Sequence, residues 1–301
     1  MDNNLNILVS VVMATYNRSK FIGRGIKSVL GQTYKNLELI IVDDNANILD
    51  ERSKTEEVVQ SFNDERIKYI KNEKNLGGAA TRNVGIYAAR GQYISFLDDD
   101  DMYLPDKIKV EVCGMIENDW DFCCMDGATF DLEENPVSER HQKLRNGMSK
   151  EDLIRVNLIY QISGTNSFMF RASTLKNVGG FDDVPSCHEF FLVQKVLETD
   201  AKVGYIPEIQ IRNYMHPGGQ ISTSFKKLAG MTKMLEWKKK YFHLLTKDQK
   251  NYVLCRYFGV SFFVYFKNKK YGNALSNAIR CFFTSPKQAW IWANEYKHKI
   301  I

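Results

Sequence analysis

Residues 7–13 and 37–42 are apolar runs rich in β-branched side chains, each broken at one position only, by Ser10 and by Glu38, and between them Phe21, Ile22, Ile26, Val29 and Leu30 recur at helical spacing. A strand that is apolar on both faces has to be covered on both faces. That is the condition of a parallel strand inside an α/β sandwich. The alternation continues with helical patterns over 51–62 and 77–89 and strand patterns over 66–71 and 92–97. Strand and helix in strict alternation predict βαβ crossovers and a mostly parallel sheet flanked by helices. Beyond these, Leu104, Ile108, Val112 and Ile116 recur every four residues and predict a helix with one buried stripe. Residues 121–125 and 167–171 read as strands, the polar segment 131–149 as a mobile loop, and everything from 225 on as helix.

The 301 residues, 44% hydrophobic and 26% charged, are enough for a large core with an appended subdomain. The longest apolar stretch, 257–266, is half of the ~20 residues that a bilayer-spanning helix needs. The start, MDNNLNILVS, has no basic segment followed by an apolar one, so no secretory leader is visible. Six cysteines without a C-x-x-C pair show no zinc or disulfide framework and suit a reducing cytosol. Charge divides the chain. From 225 onward there are 16 Lys and Arg against 3 Asp and Glu, whereas residues 1–224 hold 25 against 33. The same tail carries 17 of the 37 aromatic residues. The charge division therefore implies two regions with different surroundings or partners, 1–224 and a basic, aromatic-rich helical extension over 225–301.

In open α/β sheets, ligands bind where loops converge at the carboxyl ends of strands. Three polar clusters meet that description: ATYNR (14–18), DDNAN (43–47) and DDDD (98–101). No G-x-G-x-x-G follows the first strand, which argues against a dinucleotide-binding Rossmann domain. Asp43, Asp44 and the run Asp98 to Asp101 each have a second reading as helix caps. Three clusters at equivalent strand ends favour a site over three unrelated caps.

Taken in order, VSVVMATYNR, SVLGQTYKNLELIIVDD, NLGGAATRNVGIYAARGQYISFLDDDD with LPDK, and GGFDD with CHEFF resemble the family 2 glycosyltransferases. These are inverting enzymes with the nucleotide-sugar-binding GT-A fold, and the resemblance covers roughly 7–224. It implies Mn²⁺ or Mg²⁺ as cofactor, because a nucleoside diphosphate leaving group gathers negative charge that a cation with oxygen ligands can offset. Asp100 is the implied direct metal ligand, with Asp98 assisting, Asp99 turned aside or toward the ribose, and Asp101 capping the next helix. Asp44 corresponds to the residue that accepts a hydrogen bond from the imide N–H of uracil. Ala14, Tyr16 and Arg18 line the same implied nucleotide pocket. Ala46 stands where the family usually has serine.

Arg82 corresponds to an arginine near the nucleotide, and a helix-surface salt bridge is its other reading. Glu189, after the GGFDD turn, is the implied general base, with Asp182 and Asp183 as more distant rivals. His216 is implied as a metal or diphosphate contact, and Gly164 and Thr165 as acceptor or sugar-site residues. The implied partners are a nucleotide-sugar donor, UDP-linked, and a glycan or lipid-linked acceptor in bacterial surface-polysaccharide, O-antigen or capsule assembly. A nucleotidyltransferase and a non-catalytic sugar-nucleotide-binding scaffold are the rival readings. The first normally carries a glycine-rich loop after strand one, which ATYNR lacks; the second leaves the adjacent carboxylates unused. For the tail, three readings stay open: a helical cap, a homodimer interface, or peripheral contact with the anionic inner face of the cell membrane. No nucleic-acid-binding module is recognisable.

Overall fold

The computed structural model describes residues 6–215 and 224–300, with side chains through 294. The strands are β1 (Val9–Thr15), β2 (Leu37–Asp43), β3 (Ile67–Lys71), β4 (Tyr93–Phe96), β5 (Met102–Tyr103), β6 (Phe122–Phe130), β7 (Pro136–Arg140), β8 (Phe168–Arg171) and β9 (Val203–Tyr214). The helices are α1 (Ser19–Leu30), α2 (Leu49–Ser61), α3 (Gly78–Ala88), α4 (Lys107–Glu117), α5 (Lys150–Tyr160), α6 (Ala172–Asn177), α7 (His188–Glu198), α8 (Phe225–Lys239), α9 (Lys247–Lys267), α10 (Tyr271–Thr284) and α11 (Pro286–Ile300). Two compact units result. The described strands all lie in the first, which draws on residues up to 148, 162–183 and 192–215. The second draws on 149–161, 184–191 and the chain from 224 onward.

In the first unit, β3, β2, β1 and β4 are neighbours and parallel, with Val9 opposite both Leu37 and Tyr93 and Thr15 opposite Asp43. The apolar runs of β1 and β2 are buried because helices cover both faces. On α1, Ile22, Ile26 and Val29 are fully buried, each contributing about 1.5–3 kcal/mol by leaving water. On α3, Gly85 lets the helix approach β1 closely, since a Cβ there would sit 2.3 Å from Val12 Cγ1. The sheet's amino edge is tied by Glu38, which accepts from Ser10 Oγ at 2.6 Å and from Arg90 Nε at 2.9 Å.

Past β4 the sheet turns mixed, in the order β8, β6, β9, β5, with β7 hairpinned onto β6. Two of these strands depart from the sequence reading. The segment 131–149 is not an irregular loop throughout. Asp131 Oδ1 accepts from the amides of Glu133 and Asn135 to close a turn, and PVSER then pairs with β6 as β7. All five residues of β7 are exposed, so no apolar periodicity marks it. β9 contains Pro207 and is irregular where it pairs with β6: Met125 faces Ile206 but Asp126 faces Ile209, so the ladder skips the proline that cannot donate to it.

The stripe on α4 is also shifted. The helix begins at Lys107, Ile108, Val112 and Met115 are fully buried, and Ile116 is exposed. A charged pair shares this buried face. Lys107 Nζ lies 2.7 Å from Glu111 Oε2, donates to Ser95 Oγ and stands 4.2 Å from the Tyr103 ring centroid. In the second unit, Thr246 and Gln249 form a reciprocal capping box at the start of α9. There, Phe190 meets Trp237 edge-on at 5.7 Å, and the buried Lys238 ammonium lies 4.9 Å over the Phe190 ring. Burial and the Arg256 charge push Lys238 down to about 7.

Candidate active site

Because β1, β2 and β4 are parallel, the three polar clusters leave one edge of the sheet. The first turn is set by Asn17, whose backbone is left-handed (φ 55°) and whose amide donates to Asn45 Oδ1 at 2.7 Å. Asn45 N donates in turn to Asp43 Oδ1 at 2.7 Å, and Asp44 N donates to Thr15 O at 2.9 Å. The loops after β1 and β2 are thereby locked to each other. Ala14 is half-buried at the end of β1, and the exposed Tyr16 accepts from Asn47 Nδ2 at 3.4 Å.

Asp44 is buried and organises a third loop. Its Oδ1 accepts from Leu76 N and Asn72 Nδ2, both at 2.8 Å, and its Oδ2 accepts from Gly77 N at 2.8 Å. Neither Asp43 nor Asp44 caps α2, whose N-cap is Ile48. Asp43 instead accepts from Tyr69 Oη and Asn45 N and lies 3.5 Å from Arg52 Nε. A carboxylate has room for about four donors. Asp44 uses three, which leaves one acceptor direction on Oδ2.

The four aspartates follow β4 in a turn closed by Asp101 N donating to Asp98 O at 3.1 Å. Like charges this close resist joint ionisation unless each finds a partner. Asp98 Oδ1 has Arg82 Nη2 at 2.5 Å, and Asp100 Oδ2 has Arg18 Nη1 at 3.2 Å. Arg82 thus forms a salt bridge, and its partner is a residue of the candidate site. Asp99 is buried and forms no such ion pair; burial and the charges of Asp100 and Asp98 outweigh the Thr15 hydroxyl and the Arg18 charge and push it up to about 7. Asp101 is likewise raised by burial and by the charges of Asp98 and Asp100.

Asp101 does not cap α4, whose N-cap is Asp106. Its Oδ1 accepts from Tyr214 N at 2.8 Å and its Oδ2 from Asn166 Nδ2 at 2.5 Å. It therefore ties the turn to the end of β9 and to the loop before β8. Asn166 also accepts from Asp98 N at 2.7 Å, so one buried amide holds both ends of the aspartate run.

Asn166 and Arg24 are the two residues of this cluster that sequence reasoning missed. Arg24 Nη2 donates to Asp100 O at 2.5 Å and its guanidinium stands 3.4 Å from the Tyr214 ring centroid. The available signals were weak: an arginine between two glycines on α1, and an asparagine directly after the predicted sugar-site pair. Gly164 is left-handed (φ 103°) and its carbonyl accepts from Ser167 N and Oγ, while Thr165 is buried in the turn that follows.

Glu189 belongs to the second unit, half-buried in the first turn of α7 after a left-handed Cys187. The neighbouring His188 ring nitrogen pairs with Val184 O at 2.8 Å. Of its rivals, Asp182 is engaged by Lys195 Nζ at 2.6 Å and Asp183 is exposed. His216 lies outside the described residues. Among the described residues no group of three or more His, Cys, Asp or Glu side chains is disposed to hold a metal ion. The donor chemistry is nonetheless suitable for a hard cation shared with a ligand. Asp98 and Asp100 are partly exposed carboxylates on one turn, and Mg²⁺-type sites commonly use one or two carboxylates completed by phosphate oxygens.

Residues 10–177, more than half of the chain, match the sequence profile described as Glycosyl transferase family 2. The chain belongs to that family. An uncharacterized glycosyltransferase of Methanocaldococcus jannaschii is 42% identical over 131 residues, which is 42% of this chain and 43% of that protein. An Escherichia coli protein named UDP-Glc:alpha-D-GlcNAc-diphosphoundecaprenol beta-1,3-glucosyltransferase WfgD is 39% identical over 115 residues, 38% of this chain and 44% of its own length. The match thus spans less than half of either relative.

Among solved structures, S. aureus TarS 1-349 in complex with UDP-GlcNAc superposes with a TM-score of 0.62 at 15% identity, covering 92% of this chain and 91% of that one. The mannosyltransferase PcManGT from Pyrobaculum calidifontis, in complex with GDP-Man and Mn²⁺, gives 0.56 at 15% identity and covers 96% of this chain and 86% of its own. At such identities the likeness is one of fold. The architecture is the GT-A fold.

Proposed function

We propose that the chain is a divalent-metal-dependent, inverting glycosyltransferase that moves a sugar from a nucleoside diphosphate donor, UDP-linked, to a lipid-linked saccharide in surface-polysaccharide assembly. The observation that carries this reading is the meeting of Arg18, Arg82, Asp98 and Asp100 on one turn, directly beyond the parallel strands. Two guanidiniums and two carboxylates there can exchange partners. Arginine forks suit phosphate oxygens, and the carboxylates they release suit a cation. A bound Mn²⁺ or Mg²⁺, held by Asp98 and Asp100, would supply positive charge opposite the diphosphate. The Mn²⁺ in the PcManGT complex supports that assignment by likeness of fold.

Asp44 offers its remaining acceptor direction to the imide N–H of uracil, and Ala14 and Tyr16 flank the base. Gly164 and Thr165 face the sugar and the acceptor. Glu189 takes the proton of the acceptor hydroxyl as that oxygen bonds to the anomeric carbon, while the bond from that carbon to the phosphate oxygen breaks with its electron pair going to the diphosphate. Attack opposite the leaving group inverts the centre. The diphosphoundecaprenol substrate in the name of the E. coli relative supports a lipid-linked acceptor over a free glycan.

The deciding experiment is Glu189→Gln. The expected result is UDP affinity within about twofold of wild type with sugar transfer reduced by at least about 100-fold, the scale of a lost general base. Wild-type turnover by the variant would remove Glu189 from the mechanism.

A further inference from the structure

Residues 249–294 contain no Asp or Glu and seven Lys and Arg. Within this segment α10 buries one face through Ala274, Asn277 and Cys281, as an ordinary surface helix does. Its other face departs from that pattern. Tyr271, Leu275, Ile279 and Phe283 follow one another at intervals of four and are 59%, 61%, 47% and 81% exposed, with Phe282 beside them at 55%. Trp290, near the start of α11, is 71% exposed. Water is a poor partner for a contiguous apolar stripe, and such a stripe on a folded domain marks a contact surface. Lys267 ends α9, Lys269 and Lys270 lie in the turn leading into α10, Arg280 is on α10 and Lys287 on α11.

We infer that the outer face of α10, together with the start of α11, docks on an anionic phospholipid bilayer. Phe282, Phe283 and Trp290 enter the interface between head groups and acyl chains, while Arg280, Lys287 and the lysines before α10 meet phosphate groups. Charge decides between a bilayer and a second copy of this chain. A two-fold contact through this face would bring Arg280 and Lys287 toward their own copies, with Glu295 the single carboxylate in the sequence of α10 and α11 to set against them. An anionic bilayer supplies the missing negative charge. No helix among the described residues is long and apolar enough to cross a membrane, and the proposed contact is a peripheral one. An apolar cavity of about 380 Å³ among α9, α10 and α11 shares Phe282 and Trp290 with the stripe and is lined further by Phe262 and Cys281, which suits an inserted acyl chain. The inference rests on this surface alone and is independent of the reaction proposed above.

The test is co-sedimentation of the full chain with vesicles of mixed phosphatidylglycerol and phosphatidylcholine, against vesicles of phosphatidylcholine alone. Binding is expected to the anionic vesicles, at least about tenfold weaker to the neutral ones, and weakened by salt. Phe283→Ser with Trp290→Ser should reduce anionic-vesicle binding by about tenfold or more, and Arg280→Glu with Lys287→Glu should do the same. Both double variants change exposed side chains, so UDP affinity and melting temperature should stay at wild-type values. Equal binding to the two vesicle types, or none to either, would overturn the inference. So would a stable dimer in sedimentation velocity that Phe283→Ser disperses.

Discussion

Asp44→Asn is a nearly isosteric change whose cost can be worked out from the three donors the carboxylate receives. If the new carbonyl oxygen takes the place of Oδ1, it keeps Leu76 N and Asn72 Nδ2 as neutral hydrogen bonds. The new amide group then points its own N–H at Gly77 N, and a buried backbone donor loses its partner. One charge-assisted hydrogen bond is worth about 1.5–3 kcal/mol, so with the weakening of the other two the expected loss is about 3 kcal/mol. In a domain of this size that corresponds to a fall in melting temperature of about 6–12 °C. Differential scanning calorimetry measures it directly.

The same exchange replaces the acceptor proposed for the uracil imide with a donor. UDP affinity, measured by calorimetry below the melting transition, should fall by about tenfold or more, the scale of one lost charged hydrogen bond. A variant that melts with the wild type would refute the organising role of Asp44. One that melts early but binds UDP normally would refute its role in reading the base.

Two further expectations concern buried charge elsewhere in the first unit. Lys107→Met leaves Glu111 buried without its cation and should cost about 3–5 kcal/mol in urea unfolding, whereas Lys107→Met with Glu111→Leu should recover most of that loss. At the amino edge of the sheet, burial raises the Glu38 carboxyl, but bonds from Ser10 and Arg90 outweigh it and hold the group below its ordinary value. Its folded pKa is the lower one, so its stabilisation is present above about 4.5, its unfolded value, and disappears as the pH falls through the folded pKa. Glu38→Gln should therefore be less stable than wild type at pH 7, with the difference narrowing as the pH drops below about 4.5 in acid unfolding curves; a difference that is constant with pH would contradict the assignment.

What the sequence makes legible here follows from how local each signal is. β1, β2 and α1 carry their own period, because nearly every residue of a doubly covered strand is apolar, Ser10 and Glu38 being tolerated as a hydrogen-bonded pair, and one stripe of the helix must be. The three polar clusters are legible for the same reason, since each directly follows such a strand. β7 and β9 are not legible. PVSER is exposed along its whole length and is a strand only because β6 offers it a partner. β9 hides a proline at a break in its ladder.

Within the candidate site, Asp101 looks like a cap from its neighbours in the chain, but its partners Asn166 and Tyr214 lie 65 and 113 residues away. Arg24 is hidden in the same way, because its contact with Asp100 spans 76 residues. On α4, a period of four selected Ile116, whereas the buried face follows Ile108, Val112 and Met115 and tolerates Lys107 and Glu111 as a pair. A binary pattern does not anticipate a charged pair on a buried face.

The most direct measurement of the central claim is isothermal titration of UDP into the wild-type chain and into Asp100→Ala, each with Mn²⁺ and with chelator. Tight binding is expected only for the wild type with Mn²⁺, and the same weak binding for the variant in both conditions. Equal UDP affinity of the wild type in Mn²⁺ and in chelator, with Asp100→Ala unchanged, would contradict it.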